Sequence, residues 1–225
     1  MEWLQGFFAD YGVMLAQETW NTILMMLVPT AVAYLVGIPI GVLLLVSAPG
    51  GLRPHRVLNA VLGWIVNIGR SIPFVIFIVV LIPATRIVMG TSLGVAGAIF
   101  PLAVAAIPFV ARMVEQSLAE VDSGLIEAAQ SFGANIWQIV MKVYLKESVP
   151  SLLRGAAISL ITLLGYSAIA GMIGAGGLGD VAVRYGYQRY EVEVMVAAVL
   201  ICIVLVQIIQ SIMNVVVRRV DKRSR

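Results

Sequence analysis

Charge is what this sequence has least of. Asp, Glu, Lys and Arg together make up 12% of its 225 residues, against about 25% in ordinary soluble domains. Hydrophobic residues fill 60% of the chain, and mean hydropathy is +0.99. A soluble fold of this length could not cover itself with so few charges. A disordered chain, a coiled coil and nearly any cytosolic enzyme are thereby excluded. Cysteine is as scarce: Cys202 stands alone, so there is no disulfide scaffold. With His55 the sole histidine, no metal cluster can be assembled. No Gly-Lys-Ser/Thr occurs, so the chain holds no phosphate-binding loop of that kind. Residues 1–18 lack the basic start of a secretory signal. What remains is a membrane protein.

Long apolar runs are what the sequence has in quantity. A membrane helix needs roughly 20 mostly apolar residues, set by a hydrocarbon core of about 30 Å. Five stretches qualify, at about 20–47, 57–81, 92–113, 150–173 and 192–217. Continuous runs of this kind lack the alternation of a barrel strand, so the expected fold is all-α. Residues 1–18 carry Trp3, Leu4, Phe7, Phe8, Tyr11, Met14 and Leu15 at near-helical spacing and read as an interfacial amphipathic segment. The membrane domain itself, 19–217, follows, and then a basic tail, 218–225.

The cations orient the chain. With the N-terminus outside, eleven of the fifteen Lys and Arg fall inside: Arg53, Arg56, Arg112, Lys142, Lys146, Arg154 and the tail cations. Only Arg86, Arg184 and Arg189 fall outside, and Arg70 lies within the second span. That bias predicts N-out/C-in. Topology accounts for the basic tail, so no nucleic-acid partner is called for.

Between the third and fourth spans lies one long inner segment, Val114 to Val149. Asp122 and Ser123 are N-cap types. An apolar stripe follows at Leu125, Ala128, Phe132, Ile136, Ile139 and Val143, interrupted at Gly133. The spacing predicts two short helices across a glycine break. Pattern alone leaves two roles open: packing beneath the bundle, or docking a soluble partner.

The string Glu127-Ala128-Ala129, followed by Gly133, resembles the EAA loop of ATP-binding-cassette importer permeases. Lys146 stands where that pattern usually has proline. The strings Arg70-Ser71-Ile72-Pro73-Phe74, Gly165-Tyr166-Ser167-Ala168-Ile169-Ala170-Gly171 and Gly174-Ala175-Gly176-Gly177-Leu178-Gly179 look like those of the methionine-uptake members of that family. The resemblance covers about Trp20 to Arg219. It implies a type I importer permease in the bacterial cytoplasmic (inner) membrane, with no catalytic residue or cofactor of its own. ATP and Mg would sit on the partner. The implied assembly is a homodimer in lipid, two ATPase subunits on the inner side, and an extracytoplasmic methionine-binding (lipo)protein. The implied coupling interface is Leu125, Glu127, Ala128, Ala129, Phe132 and Gly133.

Several residues suggest a substrate pathway. Arg70 is a charge at membrane depth, which costs several kcal/mol unless it faces protein or water. It fits either a gate residue, or a structural arginine bonded to carbonyls freed near Pro73. Pro73 breaks the helix ladder, which makes this span, with Ser71 and Phe74, a candidate pathway wall. Tyr166, Ser167, Ile169 and Met172 fit either a pathway lining or close helix packing. Gly174–Gly179 formally matches G-x-G-x-x-G, but it follows a membrane helix rather than a strand, so a tight turn is the better reading. Tyr185, Tyr187 and Tyr190 fit a contact with the outer binding protein or an interfacial aromatic belt. Two alternatives stand beside the methionine reading. One is an importer for another amino acid or small solute. The other is an ATP-independent transporter or channel, which the lack of intramembrane carboxylates disfavours.

Overall fold

A computed structural model describes residues 2–221, with the side chains of residues 5–221. The stretch 222–225 of the basic tail therefore lies outside the described residues, as do the side chains of Trp3 and Leu4. Every regular element in it is helical, in the order α1 (Glu2–Ser47), α2 (Arg56–Ser71), α3 (Phe74–Val80), α4 (Ile82–Met89), α5 (Gly94–Ala119), α6 (Ser123–Ser131) and α7 (Ile136–Ile139). A π-helical turn (Val140–Tyr144) leads to α8 (Leu145–Glu147) and α9 (Val149–Ala170). Then come α10 (Leu178–Val181) and α11 (Val192–Val220), each preceded by irregular or π-helical chain.

Four helices are long and apolar enough to cross a membrane, or five spans if the bent pair α2–α3 counts as one. That agrees with the five runs read from the sequence, with three differences. The first helix has no break at residue 18: Glu2–Ser47 is one helix. Residues 7–15 are not a separate surface segment, because Phe7, Tyr11, Met14 and Leu15 have protein to bury against, although Phe8 is exposed. The second span is not one rod. Its two helices meet at 103° across Ile72 and Pro73, and α4 occupies what reads as loop. The third helix runs on to Ala119, two turns past its expected end, because Val114 and Leu118 are fully buried and keep an apolar face in phase.

The chain divides into two compact units. The first comprises Met1–Ala31, Pro73–Ala105 and Leu160–Gln210. Its core joins Leu15 of α1, Leu178 and Val181 of α10, and Val194 and Ala198 of α11, with Phe7, Tyr11 and Met14 packed around it. Cys202 is unpaired and packs at the edge of the same cluster.

The second unit comprises Val32–Ile72, Ala106–Ser159 and Ser211–Arg225. Here small residues set the helix spacing. A Cβ on Gly37 would lie 2.8 Å from Val110 Cγ1, and one on Gly41 would lie 2.7 Å from the Ala111 carbonyl. Gly37 and Gly41 thus form a G-x-x-x-G face on which α5 lies backbone-close. This is how helices associate where lipid removes the hydrophobic drive. Leu44, Val66 and Ala111 pack below it.

Much apolar surface is left uncovered. Val196, Val199, Leu200, Ile203, Val204 and Ile208 of α11 are all about half exposed, far more contiguous apolar surface than a water-facing protein tolerates. The solvent of this helix is hydrocarbon or another protein.

Candidate functional site

The inner segment is built as two helices meeting at a glycine, as its spacing predicts. Asp122 caps α6, its carboxylate accepting from Gly124 N at 2.7 Å. The far end closes as a Schellman motif: Ala134 N bonds the Ala129 carbonyl at 3.0 Å, and Gly133 N bonds that of Gln130 at 2.9 Å. This closure puts Gly133 at φ +76°, where a side chain is strained. Asn135 and Gln138 then form a reciprocal capping box on α7. A Cβ on Gly133 would meet nothing within 4 Å. Gly133→Ala is therefore expected to cost only the left-handed backbone penalty, about 1–2 kcal/mol. Faster amide hydrogen exchange at Gly133 and Ala134, with the rest of the chain unchanged, checks this.

The predicted apolar stripe does not form one inward face. Ile126, Ile139 and Val121 are the buried residues, with Leu52, Ala129, Val143 and Tyr144 packed on them. Leu125, Glu127 and Ala128 face outward, and Phe132 is 91% exposed. Trp137 and Ile136 extend the same uncovered surface. The segment therefore has two apolar faces. One packs on its own unit, and the other, bearing Glu127, is free among the described residues. Burial pushes the Tyr144 hydroxyl above its ordinary pKa.

The residues read as a pathway fall on separate pieces. Arg70 and Ser71 end α2. Ser71 Oγ donates to the Asn67 carbonyl at 2.7 Å. Arg70 is exposed and makes no hydrogen bond or ion pair among the described residues, so no carbonyl freed by Pro73 holds it. Ile72 is extended (φ −81°, ψ 122°), as the residue before proline must be, and Pro73 caps α3. Phe74 is buried and stacks face to face on Tyr166 of α9, with centroids 4.5 Å apart and rings 2° from parallel. Ser167 is buried and donates to the Leu164 carbonyl at 2.7 Å. Ile169 is half-buried and Met172 exposed.

Beyond Met172 the helix ends in the turn that the glycines predict. Gly174, Gly176 and Gly177 all have positive φ, at 99°, 79° and 84°. Two side chains of α1, neither visible as functional from the sequence, hold this turn. Gly177 N donates to Glu18 Oε2, and Leu178 N donates to Thr22 Oγ1 at 2.9 Å. Asp180, within α10, pairs with Arg184 just beyond it at 2.6 Å. Burial pushes the Asp180 carboxyl above its usual value, the Arg184 charge pulls it back, and the Glu18 charge adds to the rise. The guanidiniums of Arg184 and Arg189 lie 5.2 and 4.5 Å from the centroid of the Tyr185 ring. Tyr187 and Tyr190 are exposed. His55 also has a local task, since its Nδ1 accepts from Leu58 N and caps α2.

No group of His, Cys, Asp and Glu able to hold a metal is present among the described residues. The arrangement is a helical membrane domain with a mid-chain break, a glycine turn and an uncovered apolar face on α6, and its overall fold is shared by known proteins. A family described as "Binding-protein-dependent transport system inner membrane component" matches residues 37–225. A probable D-methionine transport system permease protein MetI of Vibrio cholerae is 50% identical over 96% of both chains. The D-methionine transport system permease protein MetI of Escherichia coli K12 is 48% identical over 70% of this chain and 73% of its own. Among solved structures, a chain of the inward-facing MetNI methionine ABC transporter aligns at a TM-score of 0.93 and 45% identity, over 95% of this chain and 99% of that one. An amino acid ABC transporter solved with histidines shares the fold at a TM-score of 0.78 and 20% identity. With matching helices, matching length and half its residues in common with such a relative, the chain belongs to the binding-protein-dependent transport system inner membrane components, as a multi-pass permease of the ABC type.

Proposed function

We propose that this chain forms the translocation pathway of an ATP-driven methionine importer, as a homodimer with two ATPase subunits on its inner side. The observation that carries the reading is the close structural likeness to the methionine transporter over 95% of the chain. Five spans are few to enclose a pathway, and a closed twofold pair is the common solution. The free face of α6, with Leu125, Glu127, Ala128 and Phe132, is the surface offered to the ATPase. Ala128 is small enough to let a partner surface come close, and Gly133 turns the chain back. ATP binding closes the ATPases, draws the two α6 helices together and opens the dimer outward. Hydrolysis resets it inward. Such motion is rigid-body rocking driven through a stiff helix.

The chain catalyses nothing itself and carries no cofactor, since ATP and Mg belong to the ATPase. Phe74, Tyr166, Ile169 and Met172 offer the mostly apolar, adaptable lining that a thioether side chain suits. The exposed Tyr187 and Tyr190 would be the residues to meet an extracytoplasmic binding protein.

Proteoliposomes holding the permease–ATPase complex, with the binding protein outside, test the whole reading. Labelled methionine is expected to accumulate only with ATP on the ATPase side. Uptake at full rate without ATP would overturn it in favour of a secondary transporter. Competition by other amino acids, if stronger than by methionine, would move the substrate.

A further inference from the structure

The glycine turn after the fourth long helix is held from outside its own segment, and the hold reaches the candidate lining. Gly177 N donates to Glu18 Oε2, which also accepts from Asn21 Nδ2 at 3.0 Å. Thr22, 3% exposed, does two things with one hydroxyl. It accepts from Leu178 N at 2.9 Å and donates to the Glu18 carbonyl at 2.9 Å. Two backbone N–H groups that would otherwise be unpaired at the start of α10 are thus satisfied by adjacent turns of α1.

The held turn in turn meets the end of α9 backbone to backbone. A Cβ on Gly179 would overlap the Cα and carbonyl oxygen of Ala168, and one on Gly171 would lie 2.7 Å from Asp180 N and 2.8 Å from the Gly176 carbonyl. Contacts between backbones have no side-chain slack. A shift of residues 176–179 must therefore shift 168–171, and with them Ile169 and Met172.

We propose that Glu18 and Thr22 are positioning residues of the translocation pathway. Through Gly177 and Leu178 they fix the end of α9, and so the placement of Ile169 and Met172. The inference rests on the importer reading above. Glu18 touches no substrate in it.

Two measurements on the assembled permease–ATPase complex test it. The first is methionine taken up per ATP hydrolysed. Residues that couple sites without contacting ligand shift the coupling by factors of about 2 to 30. Glu18→Ala is expected to lower the ratio about 10-fold, and Thr22→Val about 3-fold, with ATPase turnover retained. Glu18→Gln keeps an acceptor for Gly177 N and should restore most of the loss. The second measurement needs no transport. In a Cys202→Ala background, a Met172→Cys thiol reports its surroundings by its alkylation rate, which Glu18→Ala should change at least about 3-fold. Unchanged coupling and unchanged alkylation in both Glu18→Ala and Thr22→Val complexes would overturn the proposal. So would a loss that only tracks the amount of assembled complex. If the unsubstituted complex takes up no methionine, the importer reading fails by itself, and the alkylation rates still decide this one.

Discussion

The Phe132→Ala permease is expected to fold as the unsubstituted chain does and to lose its ATPase. Phe132 is 91% exposed, and truncating a side chain that touches so little changes folding stability by no more than about 0.5 kcal/mol. A large aromatic left uncovered at the tip of a capped, stiff helix is the type of side chain that anchors an interface. Such anchors contribute about 2 kcal/mol or more, or about 30-fold in affinity. Co-purification of the ATPase in detergent, and a titration of the ATPase against the permease in nanodiscs, measure this. ATP-driven uptake should fall in step. Ile126→Ala makes the comparison informative. Ile126 lies one residue from Leu125 but is buried against Val121 and Ile139. Its truncation should lower the stability of the permease itself by about 2–5 kcal/mol. If Phe132→Ala binds the ATPase with unchanged affinity, α6 is not the coupling surface. Glu127→Lys probes the same face by charge, and full uptake in that variant would equally exclude α6 from the coupling.

The contrast between Phe132 and Ile126 also shows how far the sequence carries. Helical periodicity, the Asp122 cap and the Gly133 break all put two short helices here, and both are present. The phase of their apolar faces was not legible. Leu125, Ala128 and Phe132 continue the stripe of Ile139 and Val143 in sequence, yet across the Schellman turn at Gly133 Ile139 is buried while Leu125 and Phe132 are exposed. A helix that serves its own bundle on one side and a partner on the other is apolar on both, and hydropathy cannot separate them. Pro73 behaves alike. A break was readable from its missing N–H and its effect on Ile72, but the 103° bend was not. Nor was the partner of Glu18 legible, since Gly177 lies 159 residues on and a backbone N–H leaves no mark in composition. The spans and the family strings were legible because lipid imposes length and apolarity directly. The first helix misled where those rules run out. Its early residues are too polar for a span, and they stay helical because Leu15 has Leu178, Val181 and Val194 to meet.

Gly179→Val is expected to abolish uptake and to lower the melting temperature of the purified complex by several degrees. No rotamer relieves the overlap, because the Cβ itself would enter the Cα and carbonyl of Ala168. A side chain in the way could swing aside, whereas a helix backbone has to translate. Overpacking of this kind costs about 1–3 kcal/mol and occasionally more, and a backbone obstacle belongs at the upper end. Gly165, in the same helix as Ala168, supplies the opposite case. A Cβ there meets nothing within 4 Å, so Gly165→Ala should be neutral or up to about 1 kcal/mol stabilising through helix propensity alone. The pair separates two meanings of glycine within one family string. At Gly165 the missing side chain leaves room, while at Gly179 it permits contact. Thermal unfolding of both variants, with uptake per assembled complex, decides the matter. A Gly179→Val complex as stable and as active as the unsubstituted one would mean that the turn and α9 do not touch in the working protein. The route from Glu18 to Met172 would then be cut at its middle link.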